Sequence, residues 1–197
     1  MIKLFNRYDY SGVKVKDPGL KEYINLNPII VPRTAGRNST ISMHKSKINI
    51  VERLINKLMV PGHKGKKHKL TSGHATGKAS KSQKIIGEVF KILEEKTKQN
   101  PIQVLVTAIE NSAQRDEITT IEYGGARYPQ AVETAPLRRI DSSLRMMVQG
   151  SYQKTFGSKK NMIETLAEEI LNAYKNDRSS AAVAKRMELE RQADASR

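Results

Sequence analysis

Residues 100–134 read NPIQVLVTAIENSAQRDEITTIEYGGARYPQAVET, and their hydrophobic period changes halfway along. As far as Ser112 the apolar side chains Ile102, Leu105, Val106 and Ile109 recur at helical spacing. Asn100 reads as the N-cap, Pro101 as the first helical residue, and Gln103, three after the cap, as a capping-box partner. Beyond it, Glu117–Tyr123 and Arg127–Thr134 are strand-like runs on either side of Gly124-Gly125-Ala126, which predicts a β-hairpin at about 117–134. Pro129 donates no ladder hydrogen bond and fits only a ribbon edge.

On both sides of this stretch the period is helical. Asn49 followed by Glu52 predicts a capping-box start for a helix over about 49–60, with Ile50, Val51, Leu54, Ile55, Leu58 and Met59 as its stripe, ended by Pro61-Gly62. A loop rich in Gly, Lys, His and Ser follows to about Lys81, then a helix over about 82–96 burying Ile85, Ile86, Val89, Phe90 and Leu93. After the hairpin, a helix over about 141–152 carries Leu144, Met147 and Val148, and one over about 160–174 carries Ile163, Leu166, Ala167, Ile170 and Leu171. Residues 180–195 favour helix but offer only Val183, Met187 and Leu189, which predicts a surface helix. Residues 1–45 lack periodicity and hold several breakers, so they read as an extended arm with a helical turn near Leu20–Tyr23, mobile until bound. The expected fold is mainly α, a bundle of five to six helices over 46–197 with a protruding two-stranded hairpin and that N-terminal arm.

Composition narrows the function. Thirty-five Lys and Arg against 20 Asp and Glu give a net charge of +15 over 197 residues, so a polyanion is the expected partner. Mean hydropathy is −0.57, and no apolar run approaches the ~18–20 residues that span a bilayer. Charge follows too soon after Met1 for a secretory leader, so a cytoplasmic protein with no membrane partner is expected. The absence of Cys excludes disulfides, thiolate metal sites and a Cys nucleophile.

Positive charge is concentrated. Residues 61–87 hold seven basic and no acidic side chains, and residues 123–160 hold seven against two. The clusters are Lys64, Lys66, Lys67, Lys69, Lys78, Lys81 and Lys84 in and after the loop, Arg138-Arg139 with Arg145, and Lys154, Lys159 and Lys160. A single Lys is usually a solvated surface charge, but crowded cations repel unless a polyanion neutralises them. Three Phe and no Trp leave little for base stacking beyond Tyr123 and Tyr128, which points to backbone and shape recognition of structured nucleic acid.

Other chemistries fit poorly. Gly73 to Ser80 has the glycines, Lys and Ser of a phosphate-binding loop, but three residues separate the glycines and Ala79 follows the Lys. His63, His68 and His74 share the loop with lysines and no carboxylate, which disfavours a divalent metal. Glu94-Glu95 and Glu168-Glu169 are adjacent on helices and diverge by ~100°. No nucleophile-elbow spacing occurs, so neither an enzyme nor a cofactor is expected. A basic helical DNA-binding or chromatin protein is the alternative, and it would carry its cations on a recognition helix at a dimer interface.

The strings Ile50-Val51-Glu52-Arg53-Leu54, Asn100-Pro101 through Asn111-Ser112, Ala131-Val132 and Pro136-Leu137-Arg138-Arg139 resemble the family of universal small-subunit ribosomal protein seven. Asp17, Leu20 and Tyr23, then Ala35-Gly36-Arg37, and the ending Glu188-Leu189-Glu190-Arg191 resemble its archaeal and eukaryotic branch. The resemblance runs in order along nearly the whole chain. The loop at 61–80 is longer than the bacterial turn, and the C-terminal tail of many bacterial members is not matched. The resemblance implies a helical bundle with a β-ribbon that binds the 3′ major domain of small-subunit rRNA. It implies a place in the head near the E site and mRNA exit, with head and platform proteins as neighbours and no homo-oligomer. Arg37, Lys45, Lys47, Lys57, the loop lysines, Arg138, Arg139 and Arg145 are then rRNA contacts, joined by Lys154, Lys159 and Lys160. Tyr123, Gly124, Gly125, Arg127 and Tyr128 form the hairpin tip nearest to mRNA and E-site tRNA.

Overall fold

Three Asn, Asp and Pro punctuation points start the first helices. In the computed structural model, which describes residues 2–62 and 77–197, Asp17 caps α1 (Pro18–Lys21) by accepting from the Gly19 amide at 2.9 Å. Asn49 caps α2 (Ile50–Leu58) through the Val51 amide, and Asn100 caps α4 (Pro101–Ser112) through the Ile102 amide. Between them runs α3 (Ala79–Thr97), which begins three residues before its expected start, so Lys81 stands on the helix with Lys84 and not in the loop. The capping boxes are incomplete, because both third residues have better partners. Glu52 accepts from the Thr34 amide and hydroxyl, each at 2.7 Å, and the Gln103 side chain pairs with both the N–H and the C=O of Lys14.

The hairpin is formed by β1 (Asp116–Tyr123) and β2 (Ala126–Glu133), antiparallel in a register that opposes Tyr123 to Ala126 and Ile121 to Tyr128. Gly124 and Gly125 have φ of 59° and 80°, the left-handed pair that a two-residue turn of primed type requires. Most of the ribbon has no cover. Its base is held by the Arg138–Glu117 ion pair and by Glu190, which accepts from the Arg115 amide.

α5 (Pro136–Thr155) starts five residues earlier than expected, with Pro136 in its first turn, so Arg138 and Arg139 belong to the helix. α6 (Met162–Tyr174) packs between α3, α4 and α5. α7 (Ala181–Asp194) is less superficial than its composition predicts: Ala182, Val183 and Ala193 are buried, and the helix lies on α5 and β1. Small side chains allow this approach. A Cβ on Gly150 would stand 2.5 Å from Ala181 Cβ, so Gly150→Ala should cost about 1–3 kcal/mol in a urea titration.

The N-terminal segment is the main departure. Leu4, Tyr8, Tyr10, Leu20 and Ile24 are buried in the same core as α2 to α6. Phe5 and Asn6 at positive φ make a tight turn that pairs Leu4 with Tyr8, and the Tyr8 ring meets Phe90 edge-on at 5.8 Å. A free, mobile arm over 1–45 therefore does not match the packing of its first 30 residues, which lie on the bundle. The stretch from about 31 to 48, around a short 3-10 turn (His44–Lys47), is largely exposed.

Candidate nucleic-acid interface

Asp141, one turn into α5, is the point at which three basic side chains meet. Its Oδ1 accepts from the Arg53 guanidinium at 2.9 Å, and its Oδ2 accepts from Lys45 Nζ at 2.6 Å, with Lys57 Nζ at 3.8 Å. Arg145, one turn later on the same face of α5, is exposed and close enough to Lys57 to act on its titration. Three cations thus contact one carboxylate, and a fourth acts on one of the three. Arg53 is 4% exposed and also donates to the Tyr23 carbonyl, whereas Lys45 and Arg145 reach solvent.

The electrostatics agree with the geometry. Burial pushes the Asp141 carboxyl up, but hydrogen bonds from Lys45 and Arg53 and the charge of Lys57 outweigh it and hold the group at about 2. Burial pushes the Lys57 ammonium down; Asp141 opposes this, and Arg145, Lys45 and Arg53 reinforce it. A carboxylate held below its ordinary value of 3.8 stabilises the folded chain above that pH. The contribution, about 2 kcal/mol, is lost as pH falls from about 4 towards 2. Denaturant midpoints measured from pH 5 to pH 2 should show that loss, and Asp141→Asn should remove this part of the slope.

The turn that carries Lys45 also carries His44, which faces a neighbouring groove of about 350 Å³. Arg33, Asn38, Asn56 and Gln83 line that groove together with His44. Sequence reasoning missed Arg33 and Arg53. The signal for Arg53 was available, since a cation between Val51 and Leu54 on an apolar stripe needs a buried acid.

The other expected contacts divide. Arg37, Lys47, Lys78, Lys81, Lys84 and Lys159 are exposed and form no ion pair with a described residue. Lys64, Lys66, Lys67 and Lys69, with His63, His68, His74 and the start of the Gly73–Ser80 stretch, lie outside the described residues. Arg138 is exposed but pairs with Glu117 at 2.7 Å, and Lys160 pairs with Glu168 at 2.9 Å, both at the surface.

Two expected contacts hold carboxylates of the fold, Arg139 facing inward and Lys154 from the surface. Arg139 is 11% exposed, bonds Asp17 at 2.8 Å and donates to the Gln114 carbonyl, so it ties α1 to α5. Lys154 pairs at 2.9 Å with Glu169, which is fully buried, so it has a structural partner while its side chain stays 43% exposed. In both cases a buried or half-buried carboxylate, distant in sequence, takes the cation.

At the hairpin, Tyr123 is 82% and Tyr128 59% exposed, and Ile121 lies between them on the same face. The tyrosines therefore do not fold back over the ribbon. Arg127, the single cation of the tip, pairs loosely with Glu122 at 3.4 Å.

The sequence profile described as ribosomal protein S7p/S5e matches residues 20–197. Curated relatives match end to end. The small ribosomal subunit protein uS7 of Nanoarchaeum equitans is 52% identical over 199 residues, covering 100% of this chain and 99% of the relative. That of Methanococcus maripaludis is 45% identical with the same coverage, and that of Thermoplasma volcanium is 42% identical over 98% of this chain and all of its own length.

Proposed function

The chain belongs to the ribosomal protein S7p/S5e family, and from that premise we propose that it binds the 3′ major domain of small-subunit rRNA and organises the head of the subunit. It is a constituent of the small ribosomal subunit, a ribonucleoprotein of the cytoplasm, and it takes part in translation. The role is structural and not catalytic. The observation that carries the rRNA reading is the cation group of exposed Lys45 and Arg145 and half-buried Lys57, whose two lysines share, among the described residues, the single carboxylate of Asp141. Lys47 beside it, Lys78 at the N-cap of α3, and Lys81 and Lys84 on its first turns add positive surface. Such a surface neutralises backbone phosphates and sets register on a folded RNA.

Chemical footprinting of small-subunit rRNA with the purified chain tests this. Protection confined to the 3′ major domain is the expected result; protection scattered over the whole RNA, or none, overturns the reading.

In the same reading the hairpin reaches from the body towards E-site tRNA and mRNA at the exit, and head and platform proteins are the neighbours. Two eight-residue strands extend about 26 Å, and the tip presents two open tyrosines with one cation. A ribbon so poorly covered adds little to the core. Replacing residues 123–128 by a short turn should leave rRNA affinity and the thermal melt unchanged while altering reading-frame maintenance or E-site tRNA retention. Loss of rRNA binding by this variant would assign the tip to the assembly surface, and unaltered translation would leave it a plain solvent turn.

A further inference from the structure

We propose that Lys45, Lys57 and Arg145 form the seat for a single RNA phosphate, and that Asp141, although itself an acid, is the positioning residue that builds this seat. The inference rests on the rRNA-binding reading and adds to it a defined subsite.

The three cations come from separate elements: the His44–Lys47 turn, the end of α2 and the third turn of α5. Long lysine side chains on different elements have no reason to converge, and mutual repulsion drives them apart. Here both ammonium groups lie against the same Oδ2, at 2.6 and 3.8 Å, so they are held within about 6 Å of each other. Nonbridging phosphate oxygens accept charge-assisted hydrogen bonds at ~2.7–2.9 Å, so one phosphate spans two donors at that separation. Arg145, one helical turn from Asp141, adds a guanidinium on the solvent side.

Asp141 is itself fixed from beneath. Buried Arg53 grips Oδ1, which leaves Oδ2 for the lysines. Arg53 Nε has no hydrogen-bond partner among the described residues, so the guanidinium depends on Asp141 for its compensation. Lys57, whose ammonium is disfavoured by burial and by its cationic neighbours, is relieved by an anion in the seat.

A plain charge count and a positioning role for Asp141 predict opposite results. Asp141→Asn raises the net charge by one, and on charge alone it tightens binding to RNA. If Asp141 positions the lysines, the same change weakens binding. The test is equilibrium binding of the full chain to small-subunit rRNA between 50 and 200 mM salt. Asp141→Asn is expected to bind about tenfold more weakly, with the slope of log affinity on log salt reduced by about 1. Lys57→Met and Arg145→Met should each reduce the slope similarly, and Lys57→Met should add little in the Asp141→Asn background, since the seat acts as a unit.

If Asp141→Asn fails to fold because Arg53 is left buried and unpaired, Asp141→Asn with Arg53→Met removes the orphaned charge while still freeing both lysines. That double variant, folded by circular dichroism, is then held to the same expectations. Equal or tighter binding by the folded variant, with an unchanged slope, overturns the seat. Failure of the unaltered chain to bind the RNA overturns the rRNA-binding reading beneath it.

Discussion

Lys154→Met is expected to destabilise the fold by about 3–5 kcal/mol while leaving the affinity of the folded chain for rRNA unchanged. Glu169 is fully buried on α6. Its Oε2 accepts from Lys154 Nζ at 2.9 Å, and its Oε1 accepts from Ser180 Oγ at 2.7 Å and from the Ala182 amide at 3.3 Å. The carboxylate therefore joins the end of α5, the middle of α6 and the first turn of α7. Removing the ammonium leaves a buried anion with two neutral donors, the arrangement in which a broken ion pair is most costly. Circular dichroism should show a melting temperature lower by on the order of 10 °C for a chain of this size. Adding Glu169→Gln to the same chain should recover part of the loss. An unchanged melt combined with weaker rRNA binding would return Lys154 to the interface.

The second large effect concerns salt. The affinity of the chain for folded small-subunit rRNA should fall by about 10³–10⁵ between 50 and 200 mM salt, the range for 6–10 phosphate contacts. Arg37, Lys45, Lys47, Lys57, Lys78, Lys81, Lys84, Arg145 and Lys159 supply cations that reach solvent, in keeping with that number. Each bound phosphate releases condensed counterions, and salt opposes that release. Changing Lys78, Lys81 and Lys84 together to Gln should lower the slope by about 2–3 without moving the melt, because none of the three is paired with a described residue. A flat salt response would show that these side chains do not engage the backbone.

Local signals were legible in the chain, and distant partners were not. Asn100-Pro101 states its own structure, since the cap, the missing donor and the apolar spacing all act within one turn. Gly124-Gly125 does the same for the hairpin. Leu4, Tyr8, Leu20 and Ile24 carry no such signal. They reach the core through turns at Phe5-Asn6 and at α1, so their spacing obeys neither period. The cation clusters were visible as charge, but whether a cation is free depends on its carboxylate. Arg139 meets Asp17 and Lys45 meets Asp141 from opposite parts of the chain. A helix period is silent about such meetings, so Arg139 and Lys154 read like neighbours that hold no carboxylate.

The seating of the N-terminal segment sets a timetable for synthesis. Arg7 pairs with Glu94, the Asp9 carbonyl with Asn100, the Lys14 amide with Gln103 and the Lys16 amide with Glu110, each 87 to 94 residues further on. A ribosome adding about 5–20 residues per second needs roughly 5–20 s to deliver those partners. Throughout that interval Leu4, Tyr8, Leu20 and Ile24 emerge with no α3 or α4 to cover them, and closing so long a loop slows their docking further. Residues 4–24 are thus synthesised well before the partners that seat them. Until then their apolar side chains stay available to a chaperone or, at high concentration, to other nascent copies of the chain.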